Sequence, residues 1–166
     1  MRFQILVYNQ WSLGNIDSDA LFAAITHSNF HTLCDQYGLS HEQIEPGELK
    51  LEVLAVRRSI APFFALHYKP SRKVPIIVNE WNLCAPAKRK LLENLPQNTL
   101  SHEVKKYLQC TRFVVSIALD STQLEDLGRL LAYELARWAA KVGQGLVWGL
   151  DGKWYRLNVH QAFMLV

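Results

Sequence analysis

Residues 112–157 constrain the fold more than any other part of the chain. Arg112 to Leu119 is a β-rich run, Phe-Val-Val-Ser-Ile-Ala-Leu at its core, closed by Asp120 and Ser121. Thr122-Gln-Leu-Glu125 then fits a capping box, in which a hydroxyl and a carboxylate each satisfy a free backbone N–H. Leu124, Leu127, Leu131, Leu135, Trp138 and Val142 follow as one apolar stripe at helical period. Gly143 is expected to end this helix in the left-handed cap that glycine enters most cheaply. Leu146 to Leu150, Asp151-Gly152 and Lys153 to Leu157 read as a hairpin with a type I′ turn. A two-residue loop would pair Trp148 with Tyr155 and Gly149 with Trp154.

The first third has a similar grammar. Residues 2–8 read as a strand. Asp17 or Ser18 caps a helix expected to run to Tyr37, with Gly38 at its end and a break near Ser28-Asn29. Residues 49–58 and 62–68 read as strands. Between the two halves lie a strand at 74–79, a helix opened by Pro86 and a second helix near 100–110. Pro75 confines the 74–79 strand to a sheet edge or to a strand start. The expectation is a single α+β domain over 1–166, a mostly antiparallel sheet with helices packed on one face. A ferredoxin-like pair of β-α-β-β halves is the first candidate arrangement.

Composition narrows the class. The chain is 49% hydrophobic and 20% charged, ordinary values for a globular protein able to fold without a disulfide or metal staple. No apolar stretch is long enough to span a membrane, and the N-terminal apolar run is too short for a secretory signal. Cys34, Cys84 and Cys110 form an odd set with no CxxC pair, which predicts free thiols in a reducing compartment and a cytoplasmic location. The formal net charge of +3 hides an asymmetry: residues 1–52 carry net −5, residues 53–112 net +8, and the rest none. A basic middle third can face an anion. Its charges are spread over several elements, however, which favours neutralisation by the acidic first third.

One near-repeat stands out. Residues 7–13 read Val-Tyr-Asn-Gln-Trp-Ser-Leu and residues 77–83 read Ile-Val-Asn-Glu-Trp-Asn-Leu. Each copy follows an apolar run. Asn offers a donor and an acceptor, and Trp a flat apolar face with one N–H. Asn9, Gln10, Trp11, Asn79, Glu80 and Trp81 are therefore the candidate ligand-binding residues, with Trp11 and Trp81 expected at neighbouring strand ends. The competing explanation is that each Trp plugs the sheet end and each Asn caps a turn.

Other constellations are weaker. His27, His31 and Cys34 fall on one helix face with metal-ligand spacing, but a fourth ligand is missing. Cys84 precedes a helix start and lies near Lys88, a setting that favours thiolate and makes it the candidate nucleophile. Lys88, Arg89, Lys90, Lys105, Lys106 and Arg112 could face phosphate, with Phe63, Phe64, Tyr68 and Trp81 as stacking rings. No P-loop, GxSxG elbow, HExxH or EF-hand pattern is present. The sequence therefore reads as a non-enzymatic binding or regulatory domain for a protein partner or small ligand, needing no cofactor. A nucleic-acid-associated factor and a Cys84 enzyme are the alternatives. The apolar end, Ala162 to Val166, is expected to dock as a further strand or, failing that, in a homodimer.

Overall fold

The computed structural model describes residues 2–26, 49–53, 63–68, 74–95, 100–124 and 127–166. In chain order these form β1 (Arg2–Asn9), α1 (Ser18–Thr26), β2 (Lys50–Val53), β3 (Phe63–His67), β4 (Ile76–Asn82), α2 (Ala85–Asn94), α3 (His102–Cys110), β5 (Phe113–Asp120), α4 (Leu127–Gly143), β6 (Leu146–Trp148), β7 (Trp154–Leu157) and β8 (Phe163–Leu165). The eight strands make one sheet in the order β2-β3-β4-β5-β1-β6-β7-β8, and every neighbouring pair is antiparallel. The α+β class holds. A ferredoxin-like pair of halves is not what this order describes. β1 lies between β5 and β6, so the two strand-helix-strand-strand runs interleave and only β5-α4-β6 forms a split β-α-β unit.

Helices cover both faces of the sheet, not one. The reason lies in β5, where Val114 to Leu119 are six consecutive buried residues. Side chains alternate across a strand, so both faces of β5 must be kept from water. On the first face, Ile5, Val7, Val115, Ile117 and Leu119 pack with Leu21 and Ile25 of α1 and with the long α4. On the second, Tyr8, Val114, Leu146 and Trp154 pack with Val104 and Leu108 of α3, joined by Leu91 and Leu92 of α2.

α4 is buried well beyond its predicted stripe. Thirteen of its 17 residues are buried, including Leu130, Tyr133 and Ala139 off the stripe, because it packs against both the sheet and α1. Val142 is 41% exposed and closes no core. Arg137 ties α4 to α1 by donating to the Ala24 carbonyl at 3.0 Å while pairing with buried Glu134 at 2.5 Å.

Three local expectations change in detail. The capping box is built by Asp120 and Gln123 around a 3-10 turn, with Asp120 accepting from the Thr122 and Gln123 N–H groups. A carboxylate at the strand end accepts more strongly than the Thr122 hydroxyl, which itself donates to Asp120. The hairpin is shifted by one: Trp148 pairs Trp154 and Val147 pairs Tyr155. Of the two turn residues only Gly152 has a positive φ, whereas a type I′ turn needs two. The chain instead uses a longer loop closed by Gly152 N–H to the Gly149 carbonyl. The third change concerns Gly143, which is helical; Gln144 takes the left-handed conformation (φ 51°). The expected course of the first helix to Tyr37 and Gly38, and of the 49–58 strand beyond Val53, lies outside the described residues; three other expectations hold. Asp17 caps α1 through the Asp19 and Ala20 N–H groups, Pro75 directly precedes β4, and the C-terminal tail forms β8 against β7.

Leu131 is fully buried in the second turn of α4, so Leu131→Ala should lower unfolding free energy by roughly 2–5 kcal/mol in denaturant titration; a loss under about 1 kcal/mol would contradict this packing. Burial also pushes the Tyr8 phenol up to about 12. Its contribution is fully present below about pH 10 and is lost as pH rises through about 12, a decline of roughly 2–3 kcal/mol. Tyr107 and Tyr133, raised by burial in the same direction, add to that decline. Tyr8→Phe should therefore flatten part of the alkaline loss of stability, and an unaltered slope would show that Tyr8 is not buried as described.

Candidate functional site

The two near-repeat segments end up at the same end of the sheet. β1 and β4 flank β5 on either side and run in the same direction, each antiparallel to it. Their registers differ. Asn9 lies opposite Phe113, whereas Asn79 lies opposite Ser116, three residues further along β5. An odd offset turns the two asparagines to opposite faces. The repeat in sequence is therefore not a repeat in chemistry.

Asn9 is fully buried on the first face. Its amide donates to the Ala139 carbonyl at 3.2 Å and wedges against the end of α4. A Cβ added at Gly143 would come within 2.1 Å of Asn9 Nδ2, and one at Gly145 within 2.0 Å of Asn9 Oδ1. These two glycines are there to admit the Asn9 side chain. The N–H groups of Gln10 and Trp11 then donate to the Gly143 carbonyl at 2.9 and 3.1 Å, which fixes the exit path of β1.

Glu80 is likewise fully buried. Its carboxylate accepts from Ser12 Oγ at 2.6 Å and from the Leu13 N–H at 2.7 Å. The second segment thus clamps the first across the start of β5. Gln10 is half-buried, with its side chain hydrogen-bonded to Tyr107. Asn79 is half-buried within β4.

The two tryptophans differ from these. Trp11 is 54% exposed and Trp81 is 43% exposed. Arg112 connects them. Its N–H donates to the Asn9 carbonyl and its own carbonyl accepts from the Leu83 N–H, so its backbone bridges both segments. Its guanidinium carbon lies 5.8 Å from the centre of the Trp11 ring, a cation–π contact. Trp81 stands opposite Val114, two residues beyond Arg112 and on the same face. Long side chains at such diagonal positions are within mutual reach. Nothing in the sequence put Arg112 over Trp11; only the pairing of β1 with β5 does.

The other candidates fall as follows. Lys88, Arg89 and Lys90 lie on α2, and Lys105 and Lys106 on α3, both on the second face. Lys88 Nζ donates to the Gln109 carbonyl, so its ammonium already has a partner. Of the proposed stacking rings, Phe64 and Tyr68 are fully buried in the first-face core and cannot stack on a ligand. Cys84 is exposed and is the N-cap residue of α2, where its carbonyl accepts the Lys88 N–H. The metal candidates His27, His31 and Cys34 lie outside the described residues. No helix among the described residues is long and apolar enough to cross a membrane. No protein-family model, curated protein or solved structure matches the chain.

The Asn9 wedge predicts a coupled pair. Gly145→Ala should destabilise by about 1–3 kcal/mol through overpacking. In an Asn9→Ala background the same change should be milder, with a coupling of at least roughly 0.5 kcal/mol in a double-mutant cycle. Additive effects would mean that Asn9 and Gly145 do not contend for the same space.

Proposed function

We propose that the protein is a binding module whose recognition surface is the Trp11–Arg112–Trp81 end of the sheet, and that it engages a protein partner. One observation carries this reading. Two large aromatic rings stand exposed on segments held together by the buried Glu80 clamp, with an arginine ordered against one of them. Tryptophan and arginine are the residue types that most often dominate protein–protein binding energy. Rings that served only as plugs would be buried. Arg112 adds a charge that a partner carboxylate would satisfy.

A second reading has its own observation. The basic helices α2 and α3 cover the same face that carries Trp81 and Arg112, and Arg89, Lys90, Lys105 and Lys106 are exposed. Exposed rings beside cations also suit single-stranded nucleic acid.

Trp11→Ala and Trp81→Ala should each change stability by no more than about 1 kcal/mol, as expected of surface positions. Capture of a partner from cells that make the protein should fall at least about tenfold with the double substitution, and change little between 50 and 200 mM salt. Large destabilisation by either single variant would make the rings structural and overturn the surface. Tight binding of a labelled single-stranded oligonucleotide, weakening steeply with salt, would favour the second reading.

A further inference from the structure

Away from the tryptophans, a cleft of about 310 Å³ opens between α3, the end of α4 and the β7–β8 turn. Leu146 and Leu157 supply apolar wall, and Gln144, Gln161, Lys141 and Arg156 supply polar groups. Among the described residues, Gln144 (φ 51°) and Gln161 (φ 61°) are the only non-glycine residues with positive φ. Both line this one cleft.

Left-handed backbone is disfavoured for any residue with a Cβ, and strain of this kind gathers at functional sites. At 144, glycines stand on either side, but both are committed to admitting Asn9. The strained position between them is nevertheless a glutamine. At 161, the turn is closed by Gln161 N–H to the Asn158 carbonyl and by Asn158 N–H to the Ala162 carbonyl. Asn158 Oδ1 secures it further by accepting from the His160 and Ala162 N–H groups. Glycine would make either turn with less strain. What glutamine adds at both places is an amide, able to donate and accept.

The cations complete the site. Lys141 is exposed in the last turn of α4. Arg156 is held at 2.6 Å by Glu103, with both side chains about half exposed (47% and 57%). The Tyr107 hydroxyl donates to the Gln144 carbonyl, which steadies the strained turn.

We propose that this cleft binds a small anion that also carries a planar hydrogen-bonding group, with Gln144 and Gln161 meeting the edge of that group and Lys141 and Arg156 the anionic group. A nucleoside monophosphate has this build: a base edge carrying donors and acceptors, and a phosphate. The site is independent of the tryptophan surface.

The test uses the full chain, with AMP and UMP as probes in calorimetric titration. At least one should bind with a Kd below about 1 mM, and its nucleoside and inorganic phosphate should each bind at least about tenfold more weakly. Gln144→Gly and Gln161→Gly should raise Tm by about 2–4 °C as strain is released. The same variants, and Lys141→Ala, should weaken nucleotide binding at least about tenfold. The proposal is overturned if neither nucleotide binds, if the glycine variants bind as the parent does, or if they melt lower than the parent. Phosphate binding as tightly as the nucleotide would also overturn it, since the glutamines would then read nothing.

Discussion

The end of β1 is pinned by one amide. Asn9 fills the space that side chains at 143 and 145 would otherwise occupy, and it donates to the last turn of α4. That contact joins the central strand pair to the longest helix. Several other features follow from it. The Gly143 carbonyl is positioned to take the Gln10 and Trp11 N–H groups, so Trp11 leaves the sheet in a defined direction. Both glycines are consumed by the wedge, so the left-handed residue that ends α4 is Gln144. The tryptophan surface and the glutamine cleft therefore share a structural origin. Tyr107 lines the cleft and is hydrogen-bonded to the Gln144 carbonyl and to Gln10, the residue before Trp11.

β5 sets the layering. A strand buried at every interior position, Ser116 included, lies at the middle of a three-layer structure. The first-face core is mainly aliphatic, closed by α1 and α4. The second face is richer in rings near β6 and β7, where Trp154 contacts Tyr8 and Trp148 at centroid distances of 5.2 and 4.8 Å. That aromatic cluster anchors the C-terminal hairpin, and through it the turn that carries Gln161.

Buried carboxyl groups have their hydrogen bonds satisfied. Glu80 accepts from a hydroxyl and a backbone N–H, and Glu134 pairs with Arg137. In each case the paired group belongs to, or also binds, a different element: Ser12 and Leu13 follow β1, and Arg137 reaches the Ala24 carbonyl of α1. Removing one partner would leave a buried charge uncompensated, which is why such pairs fix orientation more than they add stability. Here Glu80 fixes the two segments that present Trp11 and Trp81, and Arg137 fixes α4 to α1.

The sequence by itself determined the types of the described elements and the approximate place of each. The Leu131 and Leu135 stripe, the Asp17 cap and the strand start after Pro75 rest on local periodicity or local hydrogen bonding, which act within a few residues, and the docked tail rests on its own apolar character. It also singled out the two tryptophan segments, since a repeated pattern is visible without any fold. Tertiary structure alone decided what those segments do. A three-residue offset along β5 sent Asn9 and Asn79 to opposite faces, turned Glu80 inward as a clamp and brought Arg112 over Trp11. Likewise, nothing along the sequence singles out Gln144 and Gln161; the Asn9 wedge and the β7–β8 pairing place both at one cleft. Register and strand order come from contacts between residues up to 142 positions apart, Leu6 with Trp148, and no pattern read along the chain carries that information.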